Sequence, residues 1–212
     1  MENGWAHIGR LWTNGEPYLA MDSGSRDRWL GFSQDEYFDR IVEMGPDETG
    51  ILVGEQMAAV VGADGVVRDD SWMEVFESSD GTVAIIQASG EDYLRTLAAG
   101  LRYAEDSADP CTLINISSGE LAIFSAACDG SGEHSMTLLP ARAGDTPTEH
   151  GAPSREPDTG LLVAVRVRTY RVTARWYTEL DDSSCFARWL LTPINRTGDD
   201  QGGNAAIGAT GA

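Results

Sequence analysis

Apolar positions in this chain recur mostly at intervals of two, and in only two places at intervals of three and four. A period of two lines one face of a strand, and a period near 3.6 lines one face of a helix. The pattern predicts short strands over Trp5 to Trp12 and Pro17 to Met21, joined by the turn Thr13-Asn14-Gly15. Ile51 to Val53 and Met57 to Val61 flank Gly54-Glu55-Gln56, a hairpin signal. Trp72 to Phe76 and Val83 to Gln87 read as strands around Ser78-Ser79-Asp80-Gly81. Leu113 to Ile116 and Leu121 to Ala126 flank Ser117-Ser118-Gly119-Glu120, a second strand–Gly-Glu–strand hairpin that looks like the first and is a faint sign of duplication. Met136 to Leu139 is a further short strand, and four prolines in residues 140–159 predict a mobile loop.

Leu161 to Tyr177 is a long β-prone run that changes phase. Leu161, Val163, Val165 and Val167 alternate on odd positions, then Tyr170, Val172, Ala174 and Trp176 on even ones. One flat strand cannot switch faces, so a bulge or break is expected near Arg168-Thr169. After a turn over Glu179 to Ser184, Cys185, Ala187, Trp189 and Leu191 alternate on the return strand.

Two segments carry helical punctuation. Ser33 and Glu36 form a capping-box pattern ahead of Tyr37, Phe38, Ile41 and Met44, and Gly45-Pro46 ends the segment. Ser89 as cap, with Asp92 three residues on, precedes Leu94, Leu97 and Leu101. The expected fold class is α+β: a mainly antiparallel β-sheet with two short amphipathic helices packed against it. Residues 1–195 are expected to form a single domain, with a disordered Gly/Ala/Asp tail over 196–212.

Charge changes the picture more than composition does. Hydrophobic content is an ordinary 42%, but the formal charge is −19, and all fifteen positive charges are arginines. Such a balance disfavours direct binding of nucleic acid or anionic membranes and favours encounter with a basic partner. No apolar run approaches the roughly 20 residues of a membrane span. The N-terminus has no basic and apolar leader pattern, so a cytoplasmic protein is expected. Cys111, Cys128 and Cys185 are odd in number and lack metal-ligand spacing, and read as reduced, mostly buried thiols.

Candidate chemistry is sparse. His7, His134 and His150 are far apart, and no nucleophile, zinc or P-loop pattern occurs. The acidic pairs Asp69-Asp70, Asp181-Asp182 and Asp199-Asp200 lack calcium-loop spacing. No catalytic residue, metal or cofactor is expected. The informative signal is charge placement: residues 20–110 hold twenty acids and six arginines, a net −14, whereas 160–195 hold three acids and five arginines, a net +2. The acids fall on the first helical segment, on the turn after it, at Asp69-Asp70, and at Glu105, Asp106 and Asp109. Asp35, Asp39, Glu43, Asp47, Glu48, Asp69 and Asp70 are therefore the candidate partner contacts. Arg166, Arg168, Arg171 and Arg175 form a row on the long β run, read as edge-blunting or ion-paired residues.

Several stretches resemble the immunity protein 21 family of bacterial polymorphic toxin systems. They are Trp5, Gly15-Glu16-Pro17-Tyr18-Leu19, Trp29-Leu30-Gly31, Asp35-Glu36-Tyr37-Phe38-Asp39-Arg40 and the run Gly50 to Gly62. In the second half, Ser118 to Ala127 and Thr169-Tyr170-Arg171-Val172 continue the resemblance, which covers residues 5 to 194. The chain departs from the pattern at Ser125, where an acid is expected, and at Arg168, where a glycine would ease the phase switch. The resemblance implies an immunity protein that binds and neutralises a cognate toxin with a basic surface, such as a nuclease, inside the producing cell. The alternative is an acidic DNA mimic that inhibits a nucleic-acid enzyme.

Overall fold

The computed structural model describes residues 4–45, 47–62, 70–144, 147 and 159–194, with only the backbone of Asp70. The 196–212 tail and most of the 140–159 loop lie outside the described residues. Among the described residues twelve strands form two six-stranded sheets. The first sheet is ordered β1 (Trp5–Asn14), β5 (Asp70–Ser78), β6 (Val83–Ser89), β12 (Ser184–Pro193), β11 (Arg168–Asp181) and β7 (Cys111–Ile116), all antiparallel. The second is ordered β3 (Gly50–Val53), β4 (Gln56–Val61), β2 (Tyr18–Asp22), β8 (Glu120–Ser125), β10 (Thr159–Ala164) and β9 (Thr137–Pro140). Its one parallel pair is β9 with β10. The fold is mainly antiparallel β with few helices, within the α+β class.

The two sheets face each other across the main core. Leu11, Met73, Val75, Ile85, Trp189 and Val172 of the first sheet share one buried cluster with Ala59, Val61, Leu121, Ile123 and Val163 of the second. Inward residues alternate along each strand, which is the pattern the sequence carried.

The phase switch in the long β run is a change of sheet. Leu161 and Val163 point into the core from the second sheet, and Tyr170, Val172 and Ala174 from the first. Residues 165–167 carry the chain across, so the break falls just before Arg168 and needs no glycine there. The same logic corrects the second hairpin. β3 and β4 pair as expected, but β7 and β8 lie in different sheets, so Gly119-Glu120 is a crossover and the likeness between the two segments is only local. Asp22 holds that crossover, accepting hydrogen bonds from the Ser117 and Ser118 hydroxyls and from their N–H groups at 3.0 and 3.2 Å.

Among the described residues a single α-helix, α1 (Tyr93–Arg102), covers the outer face of the first sheet over β6 and β12. Its cap is Asp92, which accepts from Arg95 N–H at 3.1 Å, and Ser89 instead ends β6. The buried face is Tyr93, Thr96, Leu97 and Gly100, while Leu94 is exposed. Capping by Asp92 rather than Ser89 sets which residues turn inward, and strand pairing with Cys185 had already claimed Ser89. The helix end is held by buried Arg188, which donates to the carbonyls of Gly100 and Tyr103 at 2.9 and 2.7 Å.

Under the start of α1 lies a fully buried carboxylate, Glu74. It accepts from Tyr93 Oη at 2.9 Å, from His7 Nε2 at 2.6 Å and from the Arg10 guanidinium. Burial pushes its carboxyl up, but the bonds from His7 and Arg10 and the positive charge beside it outweigh that and hold it below its ordinary value. His7, a lone histidine in the sequence, is thus a buried structural partner. Arg175 pairs with Asp109 at 2.8 Å, in keeping with a structural reading of the arginine row. The described cysteines form no disulfide, but only Cys185 is buried and Cys111 is exposed, because its side chain points to the outer face of edge strand β7.

Replacing Glu74 with Gln removes the buried charge that His7, Arg10 and Tyr93 share, so stability in urea is expected to drop by about 3 kcal/mol. A carboxyl depressed on folding stabilises above its unfolded pKa, and that contribution is lost as pH falls through its folded value. Stability of the parent chain therefore falls on acidification through and below the ordinary carboxylate range, and E74Q is expected to flatten that acid limb; an unchanged slope would count against the cluster.

Candidate functional site

The outer face of the second sheet is also buried: register places Leu19, Met21, Val60, Ala122 and Phe124 there, all nearly or wholly inaccessible. Its cover is the stretch between β2 and β3. A 3-10 turn, Ser23–Arg28, lies against β2, β3 and β8. Trp29 follows, fully buried, and its indole N–H donates to the Ala126 carbonyl at 2.9 Å. Two glycines permit the approach. A Cβ on Gly31 would stand 2.2 Å from the Ala126 oxygen, and one on Gly130 would stand 1.7 Å from the Arg26 oxygen.

From Phe32 to Glu48 the chain surfaces. Asp129, buried in the neighbouring loop, accepts from the N–H groups of Phe32 and Ser33 at 3.0 and 2.9 Å and from the Ser33 hydroxyl. Burial pushes the Asp129 carboxyl up, but these bonds more than offset it and keep it below its ordinary value. This is why the expected capping box does not form: Ser33 is taken by a residue distant in sequence. Glu36 reaches back instead to Leu30 N–H at 2.8 Å and pairs with Arg40 at 2.7 Å. Arg40 lies 5.4 Å over the Trp29 ring and donates to the Leu52 carbonyl. Asp35 takes a left-handed conformation, φ 56°, that aspartate tolerates better than most residues. The helical part is one π turn, Tyr37–Ile41, closed by Val42 N–H to the Tyr37 carbonyl at 3.2 Å.

Along this stretch only Ile41 of the predicted apolar stripe is buried. Phe32, Phe38 and Val42 are 59%, 64% and 58% exposed, enough to make them surface groups. Phe32 packs on the His134 ring with centroids 4.4 Å apart. Asp35, Asp39, Glu43, Asp47 and Glu48 are all exposed on the same segment. The structure therefore gathers five of the seven candidate contacts on one surface element. Asp69 lies outside the described residues. Asp70 opens β5 opposite Asn14, and its side chain is not described.

The segment also forms part of a cleft of about 800 Å³. Tyr37, Ile41, Val42, Met44, Gly45 and Glu48 line it together with the connector from Asn14 to Pro17, Val60, Gly62 and Trp176. Glu16 accepts from the Ser125 hydroxyl at 3.1 Å, so an acid stands beside Ser125 although none occupies that position. Among the described lining residues there is no histidine, cysteine, serine or threonine. Among the described residues no three His, Cys, Asp or Glu side chains gather as a metal site, and no helix is long and apolar enough to cross a membrane.

Sequence reasoning missed the exposed Phe32, Phe38 and Val42, the cleft residues Glu16 and Trp176, and the anchoring role of Asp129. One signal was present: Tyr37 and Phe38 are adjacent, and neighbours on a helical turn do not share a face. The chain matches no family model, no curated protein and no solved structure.

Asp129→Ala removes three bonds to one end of the surface segment. Amide hydrogen exchange at Phe32 and Ser33 is expected to quicken by at least tenfold, with a loss of about 1–3 kcal/mol in global stability. Unchanged protection there would show that Trp29, Glu36 and Arg40 hold the segment without Asp129.

Proposed function

We propose that this chain is a non-enzymatic inhibitor, an immunity protein that neutralises a cognate toxin by laying the 32–48 segment over a basic surface inside the producing cell. The observation that carries this reading is the interleaving of three exposed apolar side chains with five exposed carboxylates on one docked segment. Protein interfaces put apolar and aromatic anchors at the centre and charge at the rim. Residues 32–48 contain six acids and one arginine, and that arginine is already paired to Glu36. The remaining carboxylates repel each other, and a cationic partner relieves that repulsion. Docking through Trp29, Asp129 and Arg40 preorganises the segment, which lowers the entropy cost of binding. Resemblance to the immunity protein 21 family supports the same reading. Apolar anchors favour a protein surface over phosphate mimicry, in which carboxylates alone would carry recognition.

The test uses the partner that co-purifies with this chain from its native cell. Reversing Asp35, Asp39, Glu43 and Asp47 to arginine is expected to abolish capture and cell protection. Association of the parent chain should slow steeply as salt rises from 0.1 to 1 M, where the screening length shrinks from about 10 to about 3 Å. Phe38→Ala should weaken binding by about 2 kcal/mol, about thirtyfold, mainly through faster dissociation. Capture that survives the reversals at unchanged rate would remove the proposal.

A further inference from the structure

We propose that the cleft beside the acidic segment receives an arginine side chain of the bound partner. This deepens the reading above and rests on it for the source of the arginine. Two carboxylates from separate parts of the chain, Glu16 and Glu48, line one cavity with Tyr37, Met44, Val60 and Trp176. No cation stands among the described lining residues. One oxygen of each carboxylate has a local donor: the Ser125 hydroxyl at 3.1 Å for Glu16, and the Gly45 N–H at 2.7 Å for Glu48. These donors are neutral, so among the described residues no cation compensates the negative charge of either group. The two like charges on one concave surface attract a cation that enters it.

The chemistry favours guanidinium. It is flat, weakly hydrated, stacks on aromatic faces and bonds a carboxylate through two parallel N–H groups, none of which a compact ammonium does as well. This chain uses the same pairing internally. Arg10 lies 4.5 Å over the Trp72 ring while it bonds Glu74, and Arg175 lies 5.1 Å over the Tyr103 ring while it bonds Asp109 at 2.8 Å. In the cleft the carboxylates and the rings are present, and the cation comes from outside. A divalent metal would need more oxygen ligands than two carboxylates supply. A volume near 800 Å³ exceeds one side chain, so the residues flanking the arginine enter with it.

The full chain is titrated with acetyl-arginine-methylamide while the Trp176 indole N–H is followed by NMR, its resonance assigned with Trp176→Phe. Saturable binding in the millimolar range is expected, at least tenfold weaker in Glu48→Gln and in Glu16→Gln. Glu48 is exposed, so E48Q gives a readout even if E16Q perturbs folding. The citrulline analogue, equal in shape but uncharged, should not saturate. Equal binding of the two analogues, absence of saturation, or full binding by both variants would overturn the proposal. Tighter binding of free arginine than of the capped form would overturn its assignment to a partner's side chain. The probe needs no toxin, so it separates the two readings: D35R, D39R and E43R should abolish toxin capture yet leave probe binding within twofold.

Discussion

Both faces of the central strands are buried in both sheets, and a sheet whose two faces are apolar must be covered on its far side as well as packed against its partner. That requirement organises the molecule. β12 carries Ala187, Trp189 and Leu191 into the main core and Phe186 and Leu190 to the other side, beneath α1. β2 is buried along its whole length, and the stretch from Ser23 to Ile41 serves as its lid. The binding face proposed above is the upper surface of that lid. Its position follows from the demand to shield Leu19, Met21 and Phe124 from water.

Covers made of loop and short helix cannot be held by apolar contact alone, because their backbone groups need partners. Two buried carboxylates, Asp22 and Asp129, accept from backbone N–H groups, and a third, Glu74, fastens the helix cover through side chains alone. Asp22 ties the end of β2 to the crossover at Ser117-Ser118, Glu74 gathers His7, Arg10 and Tyr93 beneath α1, and Asp129 clamps Phe32 and Ser33. Each is desolvated and each is held ionised by its donors. The acids of this chain thus divide into two populations. A few are interior staples whose charge is spent within the fold, and the rest are surface groups whose charge acts outward.

The surface population explains why the 32–48 segment is shaped as it is. A regular helix there would turn Phe38 inward along with Ile41. The left-handed Asp35, the back-bond from Glu36 to Leu30 and the single π turn instead bury Ile41 and leave Phe38 and Val42 outside. The result is a run of exposed apolar side chains interleaved with exposed carboxylates, next to a cleft lined by both kinds of group. Face and cleft are continuous through Val42 and Glu48, which belong to both.

Strand alternation, the β3–β4 and β5–β6 hairpins, the helix over 93–102 and the excess of acid before residue 110 were legible in the chain itself, because each depends on neighbours within a few positions. The face switch after Val163 was legible too, although its cause, a crossing between sheets, was not. What tertiary structure decided is which side chain answers to a distant one. Ser33 pairs with Asp129, 96 residues away, instead of capping its own helix, Trp29 reaches Ala126, and Glu16 and Glu48 come to line one cleft. Local propensity is worth tenths of a kcal/mol to about one per residue, and a buried carboxylate that needs donors outweighs it. The identity of the acidic face was therefore written in the sequence, and its geometry was set by the interior charges that hold it in place.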